Sequence, residues 1–114
     1  MMTVADAKRV AQKHYDLLQQ DDITKWAETL NKEGKKKALN KVYGDSPDFW
    51  WKTGRRYFEQ YGVHYKFNRV DQEKENYCKL FFTRYNADGS ERGMPVPIHV
   101  VRENGAWKVK QASY

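Results

Sequence analysis

Asn104-Gly105, set between two alternating apolar runs, fixes both a hairpin and its register, because this pair is strongly favoured in two-residue type I′ turns. The loop places Glu103 opposite Ala106. Counting back sets Arg102 against Trp107, Val100 against Val109 and Ile98 against Gln111. Side chains alternate along a strand, so Val96, Ile98, Val100, Trp107 and Val109 share a core-facing side, while His99, Val101, Lys108 and Lys110 take the wetter one. Pro95 and Pro97 lack ladder donors. In this register odd-numbered residues aim their N–H groups at the final strand, so both prolines spare the inner ladder and the last strand is expected to fray from Ala112 onward.

Period two governs the whole second half. Val63, Tyr65 and Phe67 alternate with His64, Lys66 and Asn68, and the polar run Asp71 to Asn76 reads as a turn into a strand over Tyr77 to Tyr85. Leu80-Phe81-Phe82 is apolar on both faces, the mark of a central strand. Asn86-Ala87-Asp88-Gly89 begins the next turn.

The first half reads as helix. Thr3 with Asp6 is a capping-box-like start, followed by a stripe of Ala7, Val10, Ala11, His14, Leu17 and Leu18. Asp22 can cap a second helix carrying Ile23, Trp26, Ala27 and Leu30, which Gly34 interrupts. A short third helix over Lys36 to Tyr43 turns Ala38, Leu39, Val42 and Tyr43 inward. Ser46-Pro47-Asp48 is a serine cap, a first-turn proline and a first-turn acid. That helix runs to Tyr61 and stops at Gly62. Trp50, Trp51, Gly54, Tyr57, Phe58 and Tyr61 fall within about 120° of its circumference. Gly54, costing about 1 kcal/mol relative to alanine, signals a close approach there, to a sheet before a ligand.

The 114 residues suffice for one domain, 1–114, and not for two. The net charge of +6 is evenly spread: residues 1–61 carry 12 Lys and Arg against 9 Asp and Glu, and residues 62–114 carry 9 against 6. An even spread indicates an ordinary solvated surface and argues against nucleic acid as a partner. Even the run Lys35-Lys36-Lys37, with Lys32 and Lys41 nearby, reads as a solvated face. Cys78 is the single cysteine, so an intrachain disulfide and a cysteine-based zinc site are excluded. No stretch has the length and apolarity of a signal peptide or membrane span, which makes the expected location cytoplasmic, away from membranes.

Element order, Tyr15 and Leu17-Leu18 followed by Asp21-Asp22 and Trp26, and the closing Asn104-Gly105-Ala106-Trp107-Lys108-Val109 together resemble the nuclear transport factor 2-like superfamily, over nearly the whole chain. The superfamily also contains ketosteroid isomerase and polyketide-cyclase-like proteins. The resemblance implies an α+β fold in which N-terminal helices pack in the concavity of a curved antiparallel sheet, a cystatin-like cone with a pocket. It also implies a homodimer through the outer sheet face, although the positive charges there oppose it. Isomerase-like members use a tyrosine on the first helix, an acid before the long helix and a second acid on a late strand. Tyr15 and Asp45 match the first two positions. The late strand Met94 to Arg102 has no carboxylate, which argues against steroid-isomerase chemistry.

The expected activity is binding of a small planar or hydrophobic ligand between the long helix and the sheet, with Trp50, Tyr57 and Tyr61 as walls and His14 at the polar end. A small lyase or isomerase using His14, Tyr15 and Asp45 for proton transfer is the alternative, and a protein-interaction or dimerisation module the third reading. A histidine so placed is more often a core residue with one hydrogen bond to backbone or tyrosine than a pocket acid or base. His14, His64 and His99 lie on separate elements, so no metal site is expected, and no phosphate-cradling glycine pattern or other cofactor motif is present. The hairpin register generates a stability prediction. Trp107→Ala should cost about 3–5 kcal/mol, and an unchanged denaturant midpoint would show Trp107 to lie outside the core.

Overall fold

The computed structural model describes residues 3–40 and 45–114. Helices α1 (Val4–Asp16), α2 (Ile23–Ala27), α3 (Lys32–Leu39) and α4 (Ser46–Tyr61) precede strands β1 (His64–Lys74), β2 (Tyr77–Tyr85), β3 (Val96–Glu103) and β4 (Ala106–Ala112), with a 3₁₀ turn, Leu17–Gln19, after α1. The strands form one antiparallel meander in sequence order. α1 lies in the concavity of the sheet and touches all four strands.

The caps follow the sequence closely. The Asp6 carboxylate accepts from the Thr3 N–H at 2.8 Å, and Asp22 accepts from the Lys25 N–H at 3.2 Å. α3 begins earlier than expected. Asn31 caps it by accepting from the Gly34 N–H at 2.9 Å, so Gly34 lies inside the helix instead of breaking it. The lysine run therefore falls toward the carboxyl end of α3, where the helix dipole favours it. Lys35 pairs with Glu28 and Lys37 with Glu33. Ala38 is buried and Leu39 is exposed, while Val42, Tyr43 and Lys41 lie outside the described residues. α4 starts at Ser46 with Asp45 as its cap residue, one position before the expected serine, and ends on Gly62 at φ +63°.

α4 packs on the 3₁₀ turn and on α3, with Trp51 against Trp26 at 5.2 Å between ring centroids. A β-carbon on Gly54 would stand 2.7 Å from Leu18 Cδ1. The close approach is therefore to the turn after α1, and the sheet is not the partner.

Asp71 to Lys74 continue β1, and only Glu75-Asn76 turn the chain into β2, since Lys74 pairs with Tyr77. β1 is an edge strand, where polar residues are tolerated because one side of the ladder faces water. Bulges between Phe67 and Arg69 and between Val70 and Gln72 shift its phase, so Tyr65, Phe67 and Val70 stand beside Arg84, Phe82 and Leu80.

The hairpin register holds from Glu103–Ala106 through Val100–Val109, and then Lys110 is bulged. Beyond it His99 faces Gln111 and Ile98 faces Ala112, which replaces the expected Ile98–Gln111 pair. The inward residues are consequently Trp107, Val109 and Ala112. The chain end does not fray. Ser113 N–H donates to the Pro97 carbonyl at 3.0 Å, the proline supplying the acceptor that its ring nitrogen cannot match with a donor. On the other edge of β4, Asn31 N–H donates to Val109 C=O and Val109 N–H to Thr29 C=O at 2.9 and 2.7 Å, which caps the edge at the residue before the bulge.

The Gly54 contact yields a direct test. Gly54→Ala should destabilise the chain by about 1–3 kcal/mol, the usual cost of overpacking, despite alanine's higher helix propensity. A stabilised Gly54→Ala chain in equilibrium denaturation would show that α4 stands further from Leu18.

Candidate functional site

His14 and Tyr15 both lie in the interior, on the buried stripe of α1. His14 is fully buried, with Nδ1 at 2.8 Å from Thr29 Oγ1 and Nε2 at 2.7 Å from the Tyr114 hydroxyl. The direction of these bonds is determined by Thr29. Its hydroxyl donates to the Trp26 carbonyl at 2.7 Å, and having spent its one hydrogen it can only accept from His14. Nδ1 therefore carries the proton, Nε2 is an acceptor, and Tyr114 O–H donates to it. Burial without a nearby carboxylate pushes the His14 pKa down from 6.5 to about 3, keeping the ring neutral.

Tyr15 stacks on Tyr65 with centroids 4.1 Å apart, touches the Phe82 and Tyr114 rings, and donates its hydroxyl to the Ser113 carbonyl at 3.0 Å. Burial raises the pKa values of Tyr15, Tyr65 and Tyr114 above the ordinary phenol value. Arg84 lies beside Tyr65 in the ladder and donates from Nη1 to the Tyr114 main-chain oxygen at 2.9 Å. Arg84 Nε and the Tyr65 hydroxyl are buried and have no hydrogen-bond partner among the described residues.

The three aromatic residues of α4 do not line one space. Trp50 walls a cleft of about 420 Å³ with Asn31, Glu33, Gly34, Lys37, Ser46, Pro47, Lys110 and Gln111. Tyr57 and Tyr61 instead flank Arg92 of the β2–β3 connection, whose guanidinium carbon stands 5.1 and 4.5 Å from their ring centres. Tyr61 is 48% exposed. Asp45 stands at the start of α4, next to the cleft residue Ser46, and Trp26 and Leu18 occupy the space between α4 and the core.

On the outer sheet face Tyr77 and His99 stack, with Tyr77 Oη 2.7 Å from His99 Nδ1. Burial first, then Lys79 and Lys110, hold His99 below its ordinary pKa. Cys78 is a buried thiol, its pKa raised chiefly by burial. Among the described residues no group of three or more His, Cys, Asp or Glu could hold a metal ion, and no helix is long and apolar enough to cross a membrane.

No protein-family model and no curated protein matches the chain. Solved structures do match in shape. A SEC-C motif-containing protein from Rhodopseudomonas palustris superposes with a TM-score of 0.64 at 14% identity, covering 98% of this chain and 80% of that one. A protein of unknown function with a cystatin-like fold from Nostoc punctiforme gives 0.59 at 13% identity, over 93% and 84% of the two chains. A multiply substituted chain whose designation carries the NTF2 name gives 0.59 at 11%, over 98% and 99%.

The fold is the cystatin-like cone. At this identity the likeness extends to architecture alone, and the activity has to be argued from the residues inside and around the cone.

Tyr114, Thr29 and Arg84 are the interior residues that sequence reasoning missed. Arg84 had a signal, since it shares the parity of the buried Leu80 and Phe82. Tyr114 had none, because its inward phase depends on the bulge at Lys110.

The neutral His14 has a pH consequence. Its folded pKa lies below its unfolded value, so the unfolded chain takes up the proton first and stability falls as pH drops from about 6.5 to about 3. This one group should contribute about 1.4 kcal/mol per pH unit across that window. Denaturation at a series of pH values should show His14→Gln lacking that component. An identical slope in both chains would exclude His14 as its source.

Proposed function

We propose that the protein binds a small, planar, negatively charged molecule in the cleft walled by Trp50. The observation that supports this reading is the cleft itself: about 420 Å³, with one aromatic wall and a polar lining. That volume suits a metabolite-sized ligand. Trp50, half-buried at the edge of the core, offers a flat surface for stacking. Glu33 is engaged by Lys37 at 3.2 Å, whereas Lys110 has no ion pair among the described residues and faces the same cleft. An entering carboxylate would thus meet a cation at Lys110 and amide donors on Asn31 and Gln111. The lining is more polar than the hydrophobic pocket expected from the α4 aromatics, and it favours an acid over an apolar molecule.

The bulge accounts for the placement of Lys110. Without it Lys110 and Gln111 would alternate between the two sheet faces. With it both border the cleft at the β4 edge.

Calorimetry with an indole carboxylate as probe tests the reading. Trp50→Ala should weaken binding by about tenfold or more, and Lys110→Ala by several-fold with a reduced salt dependence, as expected for lost stacking and one lost charge contact. Absence of binding at millimolar probe, or binding indifferent to Trp50→Ala, would refute it.

A further inference from the structure

We infer that the outer face of the sheet, along β1 and β2, is a docking surface for single-stranded nucleic acid. It shares no residue with the Trp50 cleft, so the two readings stand or fall separately.

Charge that is even along the chain is uneven in space. β2 turns Tyr77, Phe81 and Tyr85 outward, each four positions from the next and so about 13 Å apart along the strand. A cation of β1 stands beside each ring. Lys74 is the register partner of Tyr77, Arg69 is the partner of Phe81 with its guanidinium carbon 4.2 Å from the ring centre, and Lys66 Nζ lies 5.4 Å from that of Tyr85.

This repeat depends on both bulges of β1. An unbroken strand would put Arg69 on the opposite face from Lys66 and Lys74, because its separation from each is an odd number of residues. The bulges between Phe67 and Arg69 and between Val70 and Gln72 each absorb one residue, so all three cations come to one face. None of the three has an ion pair among the described residues. Of the acids of β1, Glu73 pairs with the inward-facing Cys78, and Asp71 is engaged by Lys79 at 3.5 Å. Glu75 lies in the turn beyond.

The rings are already braced. His99 stacks on Tyr77 at 5.9 Å and His64 on Tyr85 at 5.6 Å, while Lys79 Nζ stands 5.3 Å from the Phe81 ring centre. Side chains held in this way lose little freedom when a ligand arrives.

The combination of rings and cations selects the occupant. A single strand offers phosphates to the cations and unstacked bases to the half-buried rings and to the exposed guanidinium plane of Arg69. A duplex keeps its base faces stacked and would use the cations alone. A second copy, docked face to face, would bring two cationic surfaces together. A membrane would find nothing to take up, since the exposed large apolar side chains among the described residues, Leu39, Phe49, Tyr61 and Met94, lie outside this face.

Fluorescence anisotropy with a labelled single-stranded oligothymidylate of about 12 nucleotides tests the assignment. Binding is expected in the micromolar range at about 50 mM salt, and log affinity should fall with log salt at a slope of about −2, as for three phosphate contacts on a single strand. Arg69→Gln should weaken binding several-fold and reduce the size of that slope by about 0.7. Phe81→Leu, with unchanged circular dichroism, should weaken binding by about fivefold or more at every salt concentration and leave the slope as it was, the signature of lost stacking. Tyr85→Leu should do the same and serves if the Phe81 variant fails to fold. Lys36→Gln, which removes an exposed cation of α3, should change neither quantity. No binding at about 100 μM protein, equal affinity for the matched duplex or for oligoglutamate of the same charge, ring substitutions without effect, or equal losses in Arg69→Gln and Lys36→Gln would each overturn the assignment.

Discussion

The rest of the interior depends on one extra residue in β4. The Lys110 bulge reverses the phase of the strand, so that Ala112 and Tyr114 point into the cone where uninterrupted alternation would have sent Gln111 and Ser113. The inward turn of Tyr114 gives His14 Nε2 its donor and brings a main-chain oxygen to Arg84. Lacking the bulge, the cone would hold a buried imidazole with one unpaired nitrogen and a guanidinium with one partner fewer, each a cost of roughly 1–3 kcal/mol. The bulge follows directly on Val109, whose N–H and C=O are both taken by residues 29–31. The same connecting segment therefore caps the sheet edge and, through Thr29, fixes the His14 tautomer.

Local chemistry was legible in the sequence wherever a single interaction of short range decided it. The Asn104-Gly105 turn determined four residue pairs correctly, up to Val100–Val109, and Thr3, Asp22 and Gly62 marked their helix ends. The register failed at Lys110 because a bulge changes neither composition nor hydrophobic pattern: Gln111 and Ala112 are short or polar enough to sit on either face. Gly34 misled for a related reason. Glycine is a helix breaker only when nothing else stabilises the turn, and Asn31, accepting from the Gly34 N–H, secures the first turn of α3. Asp71 to Lys74 read as a loop because an edge strand does not require apolar residues on both faces.

The candidate site was legible only in part. His14 was recognisable as an inward polar residue from helical spacing alone, but its partner Tyr114 is 100 positions away, and no periodicity connects residues so distant. Trp50, Tyr57 and Tyr61 were grouped by angle around α4, which neglects distance along it. At 1.5 Å per residue, Trp50 and Tyr61 are about 16 Å apart on the axis. Each end of the helix therefore serves a different surface, Trp50 the cleft beside α3 and Tyr61 the guanidinium of Arg92.

The hydrogen-bond relay through His14 also indicates what kind of chemistry the interior favours. Its hydrogens run in one direction, from Tyr114 to His14, from His14 to Thr29, and from Thr29 to the Trp26 carbonyl. A relay of this kind shuttles protons only if its far end can take one up, and an amide carbonyl is far too weak a base. Protonating Nε2 would place an unpaired charge in the core, which is why the His14 pKa is pushed down to about 3. The relay ends on an amide carbonyl and runs through an imidazole that burial keeps neutral, and neither is a base near neutral pH. Each polar group of the relay is met within the chain, which makes it a hydrogen-bonded strut of the core. Loss of the Tyr114 hydroxyl would leave the His14 lone pair buried and unmet, the costly case for a buried polar group.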